Sequence, residues 1–218
     1  YIGDKPFVYE AHNVESVMKE AALPPSPCKK QAIDAVFEAE KECCQRSEFI
    51  MVCTWEDADK LAELYGIPKE KCALVPNGVG VDDTPFTPPE RRFANKLYMG
   101  LEGERLALFV GSWHAPNLEA CEEIIRMAVL CTDTKFLLMG SQCGYFEEQV
   151  SRGRALPDNV GLLGIVSDEQ KHRILAAADI ALNPMLSGSG TNLKMFEYMA
   201  AGIPVITSAF GTRGIDQK

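Results

Sequence analysis

The stretch Ser187-Gly-Ser-Gly-Thr-Asn-Leu-Lys-Met-Phe-Glu-Tyr-Met-Ala-Ala-Gly-Ile-Pro-Val-Ile206 runs a Gly/Ser loop straight into a helical segment that carries one acid, stops at Gly-Ile-Pro and leads into an apolar strand. Loop, helix and buried strand in that order form the repeating half of a parallel α/β sheet. The loop also has a chemistry of its own. The first amides of a helix lack intrahelical partners and sit at the positive end of its dipole, so Gly188, Gly190 and Thr191 are placed to turn N–H groups onto a phosphate. Glu197 is expected about two turns into the helix. A carboxylate there is badly placed for phosphate and well placed to accept from sugar or ribose hydroxyls. The stretch therefore predicts a nucleotide ligand.

The same alternation extends over the rest of the chain. Short apolar runs fall at Phe7-Val8-Tyr9, Phe49 to Cys53, Ala73-Leu74-Val75, Leu106 to Val110, Phe136 to Met139, Val160 to Leu163, Ile180-Ala181-Leu182 and Val205-Ile206. They read as buried parallel strands. Helix starts lie between them: Thr54-x-x-Asp57 before Ala58 to Tyr65, Asn117 after Pro116, and Ser167-x-x-Gln170 before Lys171 to Ala178. The expected class is doubly wound α/β of Rossmann-like type.

Pro85, Pro88, Pro89 and Arg91-Arg92 interrupt both periodicities, so residues 81–103 read as a connector. Residues 1–80 hold three strands and a long helix around Ala32 to Arg46, one Rossmann-like unit with too few strands for a closed sheet of its own. Residues 104–218 begin a fresh strand at Leu106 and form a second such domain, which ends at Ile215-Asp-Gln-Lys just after a strand. Tyr1-Ile-Gly-Asp is an odd start for a natural protein, and both ends read as cut.

With 218 residues and 46% hydrophobic content the chain can bury a substantial core. No apolar run approaches the roughly 20 residues of a membrane span. A net charge of -9 argues against nucleic acid as the main partner. The eight cysteines form no C-x-x-C pair and have no histidine at zinc spacing. Cys53, Cys72 and Cys121 lie in apolar stretches and read as small buried hydrophobes of a cytoplasmic protein. Asp57-Ala-Asp59 resembles a D-x-D metal motif but falls in the first turn of a helix, where residues two apart diverge. No metal site and no cofactor are expected.

The series Glu10-Ala-His-Asn-Val-Glu15, Val75-Pro-Asn-Gly-Val79, Phe109-Val-Gly-Ser112, Leu138-Met-Gly140, Ala177-Ala-Asp-Ile-Ala-Leu182 and the loop through Ile203-Pro-Val is similar, in order and spacing, to family-4 glycosyltransferases of the GT-B fold. The resemblance covers nearly the whole chain. It implies two Rossmann-like domains, the C-terminal one for a nucleotide sugar and the N-terminal one, here lacking its first half, for a carbohydrate or lipid-linked acceptor. It implies transfer of the sugar to an acceptor hydroxyl with retention, by a cytoplasmic enzyme with room for peripheral contact at the inner membrane face in a longer chain.

Glu197 matches the second acid of the family's paired-Glu signature, which bonds the ribose. Taken alone, a helix glutamate is most often a solvated surface residue. The first acid of the signature falls on Ser189, whose hydroxyl can bond a sugar but carries no charge. The Arg and Lys that many members carry after the first strand of the C-terminal domain are absent from Gly111-Ser-Trp-His-Ala-Pro-Asn117. Lys194 is then the expected cation for the leaving diphosphate, with His114 second and more simply a helix-terminal histidine. Gly111 and Ser112 suit a close backbone approach to the ligand, and Trp113 reads as a cap on the core. Gly140-Ser141 ends the next strand and is expected to flank the ribose or base, and Ile165-Val166, before the capped helix at Ser167, resembles the family's segment that lines the base.

His12 matches the N-domain histidine that supports transfer in many members, and Glu15 lies near it. Asn77-Gly78 reads as a turn. A second reading keeps the fold and drops the chemistry: a nucleotide-sugar-binding module or partner subunit without turnover. A nicotinamide-dependent oxidoreductase is disfavoured, because no G-x-G-x-x-G follows the first strand of either half.

Overall fold

A computed structural model describes residues 5–188 and 190–215. The readings placed on Ser189 and on the two chain ends lie outside the described residues. The chain divides into two compact units, one of Tyr1–Asn77 with Gly188–Asn192 and Arg213–Lys218, the other of Gly78–Ser187 with Leu193–Thr212.

The first unit runs β1 (Tyr9–Ala11), α1 (Glu15–Ala22), α2 (Lys29–Arg46), β2 (Ile50–Val52), α3 (Trp55–Tyr65) and, after a 3-10 turn, β3 (Cys72–Leu74). The strands pair in parallel in that order, Tyr9 opposite Ile50 and Ile50 opposite Cys72. Ile50, Val52, Ala58, Leu61 and Tyr65 centre its core. The Thr54 hydroxyl accepts from the Asp57 amide at 3.0 Å, the local cap expected for α3. Asp57 is buried and also accepts from Arg213 at 2.8 Å, while Asp59 pairs with Lys69, so the two acids of the D-x-D triplet face different partners. Helix α1 has no local cap, since its N-cap residue is Val14. Glu40 of α2 serves instead. Its carboxylate accepts from the Glu15 and Ser16 amides at 2.7 and 3.0 Å and from the Tyr9 and Tyr65 hydroxyls at 3.2 and 2.6 Å. Burial first, and Glu40 next to them, push both phenols well above their ordinary range.

The second unit runs α4 (Pro89–Tyr98), β4 (Arg105–Val110), α5 (Ala115–Leu130), β5 (Thr134–Met139), α6 (Cys143–Ser151), β6 (Val160–Gly164), α7 (Asp168–Ala177), β7 (Ile180–Asn183), α8 (Leu193–Ala200) and β8 (Val205–Thr207). Its five strands are parallel in the order β6-β5-β4-β7-β8. One sheet face buries Phe109, Phe136 and Leu138 against Cys121, Ile124 and Phe146. Desolvation pushes the Cys121 thiol up to about 12, as befits a small buried hydrophobe.

Each of the eight apolar runs is a strand, within a residue or two at its ends. The 81–103 segment differs from its reading, because it holds α4. Arg92, 5% exposed, donates to the carbonyls of Leu175, Ala178, Thr87 and Ala201 at 2.9, 2.9, 3.0 and 2.7 Å. Asn95 donates to the Ala176 carbonyl and Lys96 pairs with Asp179, so α4 is fastened to the end of α7. Asn77 and Gly78 differ as well: neither stands at positive φ.

Candidate functional site

In the second unit the chain leaves β4 toward β5 and leaves β7 toward β8, so the strand order reverses between the adjacent strands β4 and β7. With right-handed crossovers α5 and α8 lie on opposite faces, and their N-termini open on the crevice at the carboxyl edge of these two strands. The turn after β4 carries Gly111 and Ser112, the turn after β5 carries Gly140, and α8 carries Lys194 and Glu197.

A hydrogen-bond web holds these turns together. Asn117, near the start of α5, donates through Nδ2 to the Ser112 carbonyl at 3.0 Å and accepts through Oδ1 from Lys194 at 2.8 Å. One side chain thus fixes the Gly111–Ser112 turn and the first turn of α8. The Trp113 amide donates to the Ser141 hydroxyl at 2.7 Å, tying the turn after β4 to the turn after β5. The Tyr198 hydroxyl, fully buried, accepts from the Val110 amide at 2.7 Å and pins α8 to the end of β4. Ser187 donates to Glu119 of α5 at 2.7 Å. Gly140 has an intramolecular reason to be glycine: at φ +121 a Cβ would run into the Gly111 carbonyl. Trp113 is 63% exposed and does not cap the core.

One position in α8 shifts from its expected place. The helix starts at Leu193, so Lys194 is its second residue and Glu197 lies little more than one turn in. The Lys194 ammonium sits 4.0 Å from the Phe109 ring centre and against the Met185 sulfur. Desolvation in these surroundings lowers its pKa from 10.5 to about 7. Below pH 7 folded and unfolded chains both carry this proton and the folded state bears the full cost of burying the charge. Between about 7 and 10.5 the unfolded chain holds a proton that the folded chain has lost, so stability rises with pH across that window. Urea melts of the Lys194→Met variant are expected to lose that rise, and to exceed the unsubstituted chain most clearly at pH 6. An unchanged pH slope would contradict this placement of the ammonium.

Glu197 is not a free surface acid. Its Oε1 accepts from Lys171 of α7 at 2.6 Å, and both side chains are about three-quarters buried, at 25% and 27% exposure. Val166, half-buried, precedes α7, whose start is set by the capping box of Ser167 and Gln170.

His12 and the loop residues Gly188, Gly190 and Thr191 group with the first unit. His12 follows β1 directly and its exposed ring lies 3.6 Å from the Glu10 carboxylate. Gly190, at φ +67, abuts Asn13 and the His12 carbonyl so closely that a Cβ would overlap the Asn13 side chain. His12 and Gly190 thus meet within the first unit, and Gly111, Ser112, Gly140 and Lys194 belong to the second. Asn117 and Lys171 were not singled out as site residues, because their partners stand 77 and 26 residues away in the chain. Among the described residues no group of three or more His, Cys, Asp or Glu is placed to hold a metal ion, and no helix is long and apolar enough to cross a membrane.

Residues 104–217 match the family described as glycosyl transferases group 1. The D-inositol 3-phosphate glycosyltransferases of Mycobacteroides abscessus and Nocardia farcinica are 25% and 29% identical, each alignment taking in 94% of this chain and 46% or 47% of the relative. The chain thus spans about half the length of the curated relatives it matches. Among solved structures, Anabaena HepE in complex with UDP and glucose superposes with a TM-score of 0.69 at 16% identity, covering 95% of this chain and 54% of that one. At that identity the likeness speaks for the fold.

Proposed function

Because the chain belongs to the glycosyl transferases group 1, we propose that its second unit binds a nucleotide sugar and that the whole protein moves the sugar to an acceptor hydroxyl with retention of configuration. The observation that carries this reading is the crevice between β4 and β7, where the Gly111–Ser112 turn, the start of α8 and the Glu197 carboxylate are held by side-chain bonds. Amides at the N-termini of α5 and α8 favour the diphosphate, and Glu197 accepts from the ribose hydroxyls. Gly140 and Val166 flank ribose and base. Lys194 neutralises charge as the diphosphate departs. The acceptor is a carbohydrate or lipid-linked hydroxyl, and no metal takes part. The bound UDP of Anabaena HepE supports a nucleoside diphosphate as the donor's leaving group.

Calorimetric titration with UDP, GDP and ADP tests the binding step. Saturable, base-selective binding is expected, weakened about tenfold to a hundredfold in Glu197→Ala, the scale of one or two hydrogen bonds to a charged group. Equal affinity of the two chains would remove the assignment of Glu197 to the ribose.

A further inference from the structure

Lys171 has been given no contact with the ligand, yet it holds the one carboxylate on which ribose recognition rests. An ion pair with a quarter of each side chain exposed adds little to stability, so its effect lies in what it does to geometry. Both partners stand on fixed ground. The capping box of Ser167 and Gln170 sets the turn that leads into Lys171, whose own amide donates to the Ser167 carbonyl at 2.8 Å. Glu197 lies between Lys194, bonded to Asn117, and Tyr198, bonded to the Val110 amide. The lysine takes Oε1 and leaves Oε2 without a hydrogen-bond partner among the described residues.

We infer that Lys171 is a positioning residue for ribose recognition: by bonding Oε1 it holds the Glu197 carboxylate in one rotamer, with Oε2 presented to the ribose hydroxyls. The inference rests on the proposed nucleotide site. It requires that Lys171 act only through a ligand that has those hydroxyls. A ribose donates two O–H groups to the ionised carboxylate, and a freely rotating glutamate must first be ordered to receive them.

The test compares the nucleoside diphosphate that binds best with its 2′,3′-dideoxy analogue, titrated into the unsubstituted chain, Lys171→Met and Lys171→Arg. The expected result is an affinity for the ribonucleotide lowered about tenfold in Lys171→Met, an unchanged affinity for the dideoxy analogue, and recovery of most of the loss in Lys171→Arg. Equal weakening of both ligands would show a structural effect on the whole pocket and overturn the inference, as would a Lys171→Met variant that binds the ribonucleotide normally. An unsubstituted chain that binds both ligands alike would instead remove the ribose reading of Glu197, and the inference with it.

Discussion

Arg92→Met is expected to lower the unfolding free energy of the second unit by about 3 kcal/mol, a large part of the ~5–15 kcal/mol typical of a native domain. Among the described residues the guanidinium has no carboxylate within bonding distance, and it donates to four carbonyls at the ends of α7 and α8 and before α4. Burial lowers its pKa, and Asp179 offsets part of that. Such an arrangement is costly to assemble and costlier to half-dismantle. Methionine fills the volume but leaves the buried Leu175 and Ala178 carbonyls at the end of α7 without their donor, and removes a positive charge from the negative ends of two helix dipoles. Arg92→Lys is expected to recover little, because one ammonium cannot span acceptors that the planar fork reaches. Urea denaturation followed by far-UV dichroism measures both variants. A midpoint near that of the unsubstituted chain would mean that α4 is fastened by its apolar contacts instead.

Glu40→Gln should cost the first unit a similar amount, about 3 kcal/mol. Two amides and two phenols donate to the four lone-pair sites of one carboxylate that is 4% exposed. In glutamine one of those oxygens becomes an NH2 facing two donors, so a repulsive contact replaces two bonds. The charge that answers the positive end of α1 is lost as well. The tyrosines offer a second readout. With Glu40 neutralised, phenol titration followed by ultraviolet absorbance should move toward the ordinary range for Tyr9 and Tyr65, since part of the upward push on both comes from the carboxylate. Melting unchanged from the parent chain would show that α1 is held by packing alone.

These two side chains also mark where sequence reading stops. The strands were legible because a buried parallel strand is a short apolar run, whichever partner it pairs with. Helices α3 and α7 were legible because their caps act within three residues, Thr54 on Asp57 and Ser167 on Gln170. Helix α1 was not, since its capping carboxylate arrives from Glu40, 24 residues beyond Ser16. Helix α4 was hidden for the same reason: Arg92 finds acceptors 83 to 109 residues away, and its prolines and paired arginines look like a connector until those acceptors are in place. In the candidate site, the loop-helix pattern pointed to Glu197 but not to what holds it. The bonds from Asn117 to Lys194 and from Lys171 to Glu197 join segments that only the closed sheet brings together. The depth of Glu197 in the helix was misjudged because loop residues before Leu193 were counted as its first turn.

The most direct test is a crystal structure of this chain with the nucleoside diphosphate that binds it best. The account predicts density in the crevice between β4 and β7, with the diphosphate against the Gly111–Ser112 turn and the start of α8. The ribose hydroxyls should lie within about 3 Å of the Glu197 carboxylate. A nucleotide bound elsewhere, or one in the crevice with its ribose turned away from Glu197, would contradict it.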